Sequence, residues 1–384
     1  MEMTCLWGLR FWMLLAVPLI AGGADTVTVL EEKRLHLGKA GQWEWESFKD
    51  RPVDAERFER KFDSKANATE QTLSVWQRDV KLGWVVKLNG AKLGSLVTSE
   101  PAMETLIAIP PNRLRDGENV LTIDPPANLD DIEVGPVSVM AKPMREVPAG
   151  STIEVTVTDE QGGGGIPCRL TVTRTDGTLQ PLLAEPAAEV AVRTGVVYTR
   201  NGRATLSLPP GDYEVYAGRG FEWSVGRNKV SLDKGETKPV ALKLRREVPT
   251  EGWIAADSHI HTLTHSGHGD ATIQERMLTI AGEGIELAIA TDHNHHADFG
   301  PSAASAGVAD RFTPVIGNEV TTKNGHFNAF PIEPGAKVVN HQQDDWGKLL
   351  PEIRATPGVK VITLNHPRDL HSGFVPFGGI QFNP

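Results

Sequence analysis

The sequence predicts a multidomain protein in which two all-β sandwiches precede an incomplete α/β barrel, and three observations support that prediction. Up to about residue 246, short runs alternate apolar and polar residues between turn signals, as in antiparallel sheets. From residue 253 onward, continuous apolar runs alternate with helical periodicity, which is typical of parallel βα units. Eleven of the 12 histidines lie between His259 and His371, so we expect the chemistry in this last part.

Residues 1–24 have the pattern of a secretory signal. One basic residue, Arg10, precedes an apolar core over residues 11–20, and small residues at 21–24 suit cleavage. The core is shorter than the about 20 apolar residues that a membrane span needs. We therefore expect a secreted or periplasmic protein with no stable membrane span after cleavage, and an uncleaved anchor is the alternative.

Composition limits the classes of partner. The chain has 384 residues and a formal net charge of −10 at pH 7. An acidic balance argues against a nucleic-acid partner, because a phosphate backbone is bound through positive charge. The two cysteines are Cys5, inside the predicted signal, and Cys168, so no intrachain disulfide is expected in the mature chain.

Residues 25–142 are predicted to form a β-sandwich. Alternating runs cover residues 71–75, 83–88, 105–109 and 119–123, and Asn89-Gly90 is a strong hairpin signal. The order W-x-V-x-L-N-G from Trp84, then I-P-P-x-x-L-x-x-G-x-N-x-L-x-I from Ile109, resembles galactose-binding-like jelly-roll domains. Four tryptophans are expected to pack in the core or on a sheet face, with contact to a glycan as the alternative: Trp43, Trp45, Trp76 and Trp84.

Residues 146–246 are predicted to form a second β-sandwich. Residues 152–157 and 169–173 alternate, and four glycines at 162–165 between them suggest a loop tip. Residues 201–215 read N-G-x-x-x-x-x-L-P-P-G-x-Y-x-V, which resembles carboxypeptidase-regulatory-like, transthyretin-like sandwiches. Such domains usually act as spacers that hold a catalytic domain, and no pattern of acid, base or nucleophile is recognisable here.

Residues 253–384 are predicted to carry the catalytic site on βα units. A first strand ends at His259, Asp270 caps a helix of apolar periodicity, and Gly282 and Gly284 end that helix. Further strands are predicted at residues 285–291, 314–317 and 360–364, with residues 326–331 beside the second of these and a helix at 346–355.

Each of these strands finishes in polar residues that can bind metals. His259 and His261 project to the same face of their strand, so both can reach one ion. Active sites of α/β barrels gather at the carboxyl ends of the strands, so we expect the clusters to converge on a multinuclear site. The later clusters contain Asp292 and His293, then Asn318, Glu319 and His326, and finally Asn365, His366 and Arg368.

As a set, these motifs resemble the PHP (polymerase and histidinol phosphatase) family, and within it the CehA/McbA-type metallohydrolases. The motifs are D-x-H-x-H-T at residues 257–262, T-D-H-N at 291–294, G-N-E at 317–319, H-F-N at 326–328 and N-H-P at 365–367. The resemblance implies a distorted seven-stranded βα barrel that holds up to three metals.

The resemblance also implies which residues bind them. His259, His261 and Glu319 would bind one metal, Glu319 would bridge to a second held by His326 and His366, and His268 and His293 would bind a third. His265 competes with His268 for that place, because the sequence does not fix the turn, and we favour His268.

The remaining polar residues are given supporting roles. Asp292, like Asp257, is expected to orient neighbouring imidazoles. Arg368 would clamp an anionic substrate oxygen or pair with a nearby acid. His295 and His296 would line the pocket or lie on exposed loops, and His341 and His371 are expected at the surface.

The sequence departs from the family pattern near its end. No D-x-H follows His371, where the family has its final motif, and four or five strands are predicted where the family has seven. We therefore expect residues 253–384 to be only the N-terminal part of the barrel. A fragment, a split or frameshifted gene, and an enzyme whose barrel a second chain completes are the alternatives.

The leading hypothesis is a metal-dependent phosphoesterase in which metal-activated water attacks an anionic small-molecule substrate. His-rich ligation with one bridging carboxylate favours two or three ions of Zn, Mn or Fe. The first alternative is ester or carbamate hydrolysis at the same site, as the CehA/McbA likeness implies. The second is an inactive protein with a degenerate barrel that binds a glycan or a surface.

Overall fold

The computed structural model describes residues 26–44, 48–343 and 345–366. Of the described residues, 44% lie in strands and 11% in helices. The prediction of a chain dominated by β-sandwich sheets is therefore confirmed. In these described ranges, no helix has the length and apolar character to cross a membrane.

Nine strands form the first unit. They are β1 Val27–Glu31, β2 Leu35–Leu37, β3 Phe58–Ser64, β4 Gln71–Arg78, β5 Val85–Leu88, β6 Ala91–Ser95, β7 Met103–Ile109, β8 Gly117–Asp124 and β9 Ile132–Met140. One antiparallel sheet has the order β1-β9-β4-β7, with β2 also on β9, and the other has the order β3-β8-β5-β6. Both sheets bury side chains in one core that includes Leu73, Val86 and Leu121, so the unit is a sandwich.

The hairpin between β5 and β6 shows how local sequence sets the fold. Asn89 and Gly90 connect the strands, with φ of 52° and 79°. A two-residue turn with both φ values positive matches the right-handed twist of the strands, and Asn-Gly tolerates it best.

Nine more strands form the second unit. They are β10 Ser151–Asp159, β11 Cys168–Arg174, β12 Leu183–Glu185, β13 Val190–Arg193, β14 Val196–Thr199, β15 Arg203–Leu208, β16 Gly211–Gly218, β17 Gly226–Leu232 and β18 Thr237–Leu244. The sheets have the orders β12-β15-β10-β18 and β13-β14-β11-β16-β17. Residues of both, such as Ile153, Leu170 and Val215, share one buried core.

The last unit mixes helices and strands. It contains β19 Ala256–Ile260, α1 Leu263–Ser266, α2 Ile273–Gly282, β20 Leu287–Ala290, α3 Gly300–Ser305, β21 Thr313–Ile316, β22 Asn318–Thr322, β23 Gly325–Phe330, α4 Trp346–Ala355 and β24 Val361–Leu364. Strands β19, β20 and β21 form a parallel sheet in that order. Strands β22, β23 and β24 form a separate antiparallel sheet.

This arrangement differs from a series of parallel βα units. Only Lys323 and Asn324 separate β22 from β23. A parallel pair needs a crossover of a dozen or more residues, so a link this short forces a hairpin. Strand β24 then pairs antiparallel with β23 and runs in the same direction as β22. Over the residues that the structure describes, the sheets close no barrel.

The N-terminus of α2 also differs from the prediction that Asp270 caps it. Thr272 is the N-cap, and its side chain and that of Glu275 form a reciprocal capping box. This arrangement satisfies two backbone N–H groups at once. The carboxylate of Asp270 instead accepts a hydrogen bond from Arg193 Nε at 3.1 Å.

Helix α2 joins the last unit to the second sandwich. Ala191 of β13 belongs to the same buried cluster as Met277 and Ala281 of α2. Tyr198 of β14 donates a hydrogen bond of 2.7 Å from its hydroxyl to Glu283 Oε1, beyond the end of the helix. The sandwich thus supports the helix that connects the histidine-bearing segment of β19 and α1 to strand β20.

Candidate metal centre

Glu319 lies at the centre of a group of histidines. Its side chain is fully buried, and five imidazole nitrogens lie 3.0–3.4 Å from its two carboxylate oxygens. Three of them face Oε1, namely His259 Nε2, His326 Nδ1 and His366 Nε2. The other two, His261 Nε2 and His293 Nδ1, face Oε2. Glu319 and five of the histidines predicted around it therefore converge, and the ring of His268 lies beside those of His261 and His293.

The strand layout explains this convergence. His259 lies near the end of β19 and His261 directly follows that strand, two residues further on, so extended backbone turns both side chains the same way. His293, after β20, pairs with Glu319 through an isolated parallel bridge. His326 lies on β23 opposite Thr321 of β22, and His366 follows β24 with a positive φ of 28°.

The separations fit ligands that share a cation. Two ligand atoms that each lie about 2.1 Å from one ion, at angles of 90–109°, are about 3.0–3.4 Å apart. Two triads have all their ligand atoms within 4.8 Å of one another: His259, His261 and Glu319, and His293, Glu319 and His326. His259 Nε2 and His261 Nε2 themselves lie 3.0 Å apart.

Hydrogen bonding alone leaves part of this cluster unsatisfied. Among the described residues, no group gives an aligned hydrogen bond to Glu319 Oε2, to His326 Nδ1 or to His366 Nδ1, although all three atoms are buried. A buried polar atom without a partner is costly, and a shared cation would satisfy Glu319 Oε2 and His326 Nδ1, which lie inside the cluster. The residues present therefore fit a metal site better than a purely hydrogen-bonded one.

The histidines also decide the charge of Glu319. Burial raises the pKa of this carboxyl group, but the facing side chains of His259, His261, His293 and His326 lower it more, and the net pKa lies below its ordinary value. The contact with Glu319 in turn raises the pKa of His259 despite partial burial. Glu319 is thus an ionised carboxylate, the form that binds metals.

His268 and His265, which follow β19, contact different histidines. The ring centroid of His268 lies 4.7 Å from that of His293 and 5.3 Å from that of His261. The ring of His265 instead stacks on His295, with centroids 4.2 Å apart. Burial, with the charges of His293 and His261, lowers the pKa of His268, so its imidazole is neutral near pH 7.

Asp292 supports the cluster from behind. It is fully buried, and its Oδ1 accepts hydrogen bonds from Thr262 N at 2.7 Å and Ser266 Oγ at 2.7 Å. Ser266 Oγ also lies 3.3 Å from His261 Nδ1, so Asp292 reaches this imidazole through a hydroxyl. Asp257 accepts a hydrogen bond of 2.9 Å from the backbone N–H of His259.

The other predicted residues lie away from Glu319 or outside the described ranges. His296 Nε2 lies 3.3 Å from Asn318 Nδ2, and burial lowers its pKa. His295 is exposed and contacts His265. Arg368 and His371 fall outside the described residues, as do residues 1–24.

Three supporting side chains were not assigned roles from the sequence. Asn365 and Asn328 hydrogen-bond to each other, and Asn365 also contacts Glu319. The hydroxyl of Thr321 hydrogen-bonds to His293 Nδ1. Asn365 belongs to the N-H-P motif and Asn328 to the H-F-N motif, and this membership is the sequence signal from which their roles could have been predicted.

Of the three described tryptophans predicted in the first sandwich, Trp84 belongs to its core. Trp84 is fully buried and donates a hydrogen bond of 2.9 Å to Asp130 Oδ2. Trp76 is buried, donates to Thr178 Oγ1 at 3.0 Å, and lies under the guanidinium of Arg34. Trp43 is 44% exposed, and Trp45 lies outside the described residues.

Comparisons with known proteins give only distant likenesses. No family model and no curated protein matches the chain. Similar solved structures include an FMN-binding β-glucuronidase from Faecalibacterium prausnitzii L2-6 (13% identity, 76% of this chain and 52% of that chain, TM-score 0.21). A GH2 β-galacturonidase from Eisenbergiella tayi bound to glycerol is 11% identical over 75% of this chain and 56% of that chain, with a TM-score of 0.20.

A β-glucuronidase from Ruminococcus gnavus in complex with N1-substituted uronic isofagomine is 9% identical over 77% of this chain and 61% of that chain, with a TM-score of 0.22. The chain therefore spans between 52% and 61% of the length of these three proteins. Scores of 0.20–0.22 do not establish a shared overall fold.

Proposed function

We propose that this protein is a metal-dependent hydrolase and that phosphoester hydrolysis is its leading activity. One observation carries the proposal: five imidazole nitrogens surround one buried carboxylate, at the separations expected of ligands that share cations. We further propose that residues 253–384 belong to a PHP-type metallohydrolase domain, and that residues 1–24 direct the protein to the periplasm or out of the cell.

Two cation positions share Glu319 in this proposal. His259 and His261 complete one triad, and His293 and His326 complete the other. His366 is 3.3 Å from Glu319 Oε1, and His268 lies beside His261 and His293, so each can add a ligand. Imidazole-rich ligation favours Zn, Mn or Fe over Mg or Ca. Bound divalent cations would supply Lewis acidity and lower the pKa of water toward neutrality.

The protein's own residues prepare the site for this chemistry. Glu319 keeps its negative charge, because the surrounding imidazoles lower its pKa. Asp292 and Ser266 hold the ring of His261 in one orientation. His268 is neutral near pH 7 and exposed, so it can bind a cation or accept a proton at the mouth of the site.

The direct test combines metal analysis with two substrates. Purified protein should contain two or three transition-metal ions per chain and hydrolyse an aryl phosphate faster than an aryl carbamate. A chelator should abolish the activity, and added Zn or Mn should restore it. Faster cleavage of the carbamate would favour the alternative ester or carbamate chemistry at the same site.

A matched pair of histidine variants links the activity to the cluster. His261→Asn should lose metal and activity together, because His261 faces Glu319 Oε2 at 3.2 Å. His295→Asn should keep both, because this exposed ring contacts His265 and not Glu319. Less than one metal ion per wild-type chain would contradict the proposed function, and glycan binding without metal would favour a binding protein.

A further inference from the structure

A cavity of about 370 Å³ opens beside the histidine cluster. His259, His261 and His268 form the wall that faces the candidate metals. One face of α2 also lines the cavity, from Arg276 to Glu283 just beyond the helix. Seven residues of helix are about 10 Å long, and a cavity of this size suits a small organic molecule.

Arg276 gives this cavity its positive charge. Of the described residues that line it, Arg276 is the only lysine or arginine. Its Nε donates a hydrogen bond of 3.0 Å to the backbone carbonyl of His261, which holds the guanidinium next to a candidate metal ligand.

The guanidinium of Arg276 keeps donors for a further partner. Nη1 lies 3.5 Å from Thr279 Oγ1, and Nη2 lies 3.6 Å from Asp270 Oδ1, so both contacts are long. Asp270 is largely exposed and is shared with Arg193, so its pairing with Arg276 is weak. An arginine has five N–H donors in a planar fork, which suits the oxygens of a phosphate or carboxylate.

The two acids that line the cavity, Glu283 and Asp257, have hydrogen-bond donors other than Arg276. Glu283 accepts hydrogen bonds from Arg169 at 2.9 Å and from Tyr198 at 2.7 Å. Asp257 accepts a hydrogen bond from the backbone N–H of His259. The apolar lining of the cavity comes from Ile260, Ile280 and Ile285, with the ring of Tyr198.

We infer that this cavity binds the substrate as an anionic ester with an apolar or aromatic organic group. The phosphoryl oxygens lie against Arg276, beside His261 and His268, and the organic group extends along α2 toward Ile280, Ile285 and Tyr198. Arg276 is thus a substrate-binding residue, and the second sandwich contributes Tyr198 to the lining of the pocket. The placement of the reacting bond rests on the proposed function.

Equilibrium binding of two probes tests this inference without turnover. Calorimetry on the full metal-loaded chain would measure the affinity for inorganic phosphate and for phenylphosphonate. Wild-type protein should bind phenylphosphonate more tightly than phosphate, because only the phosphonate carries a ring for the apolar end. Arg276→Gln should weaken both affinities about tenfold or more, and Arg276→Lys should weaken them less.

Two controls separate anion binding from a structural role. Arg311→Gln changes an arginine that pairs with the exposed Asp310 and does not line the cavity, and it should leave both affinities unchanged. Metal content must be measured for each variant, because Arg276 also holds the backbone of His261. Affinity lost with the metal content intact supports the inference.

Three results would overturn the inference: unchanged affinities in Arg276→Gln, losses that track its metal content, or a phenylphosphonate affinity no higher than that for phosphate. Wild-type protein that binds metal and phenylphosphonate but hydrolyses no ester would contradict the proposed function and leave the binding inference standing.

Discussion

Asn365 donates a hydrogen bond of 2.8 Å from its Nδ2 to Oε1 of Glu319, although the two residues are 46 positions apart. The same amide donates to Asn328 Oδ1 at 2.7 Å. Asn328 in turn donates to the backbone carbonyl of Ser258 at 2.8 Å. These buried amides connect the end of β24, strand β23 and the histidine-bearing strand β19 to the carboxylate at the centre of the cluster.

Asn365→Ala should weaken metal binding about 10- to 100-fold, because side chains that orient metal ligands have effects of this size. Competition against a chelator of known affinity measures the change. Asn340→Ala, at an exposed asparagine, is the matched control and should bind metal as the wild type does. Equal affinities of the two variants would show that Asn365 does not position Glu319.

Glu319→Gln should remove most metal binding, because both triads share this carboxylate. Thermal unfolding with and without added Zn or Mn provides the measurement. Wild-type protein should gain about 2.7 kcal/mol at a free metal concentration 100 times the dissociation constant. Glu319→Gln should gain little. Glu352→Gln, an exposed acid on α4, should respond as the wild type does.

The sequence was sufficient where local pattern and strand direction determine the structure. Helix α4 covers residues 346–355 as predicted, and Asn89-Gly90 forms the expected hairpin. Glu319 and five of the predicted histidines converge, because each follows or begins a strand of the last unit. Alternation along β19 and the residue that follows it was enough to place His259 and His261 on one face.

Features set by tertiary contacts could not be predicted in this way. The turn between α1 and α2 places His268 beside His293 and leaves His265 against His295, and spacing alone allows either result. Thr272 replaces Asp270 as the N-cap, because Arg193 of the second sandwich binds the aspartate. The antiparallel position of β24 depends on its pairing with β23 and not on its own composition.

Stability at alkaline pH should depend on Tyr198. Burial and the hydrogen bond to Glu283 raise the pKa of Tyr198 to about 12, above the ordinary value of 10.0. The unfolded chain therefore loses this proton at lower pH than the folded chain, so the stabilisation is complete below pH 10 and is lost as pH rises toward 12. Tyr198→Phe should show a smaller fall in the urea midpoint between pH 9 and 11.

The absorbance of tyrosinate provides a second measurement of this contact. The chain has three tyrosines, so Tyr198→Phe should remove one of three titrating groups. In Glu283→Gln the pKa of Tyr198 should move back toward 10, because the carboxylate no longer opposes ionisation of the phenol. An unchanged titration in Glu283→Gln would contradict the predicted coupling of these two residues.

Gly282→Ala should destabilise the contact between α2 and the second sandwich. A Cβ atom at Gly282 would lie 2.7 Å from Tyr198 Cδ1 and 3.3 Å from the backbone of Cys168, and the Tyr198 ring is held by its bond to Glu283. Overpacking of this kind costs about 1–3 kcal/mol, which exceeds the up to about 1 kcal/mol that alanine gains over glycine in a helix. Urea unfolding measures the balance.

Gly83→Ala is the control. No atom lies within 4 Å of the new Cβ there, so the free energy of unfolding should change by less than about 0.5 kcal/mol. The penalty at Gly282 should shrink in a Tyr198→Ala background, because the clashing ring is then absent, and an equal penalty in both backgrounds would place the strain elsewhere.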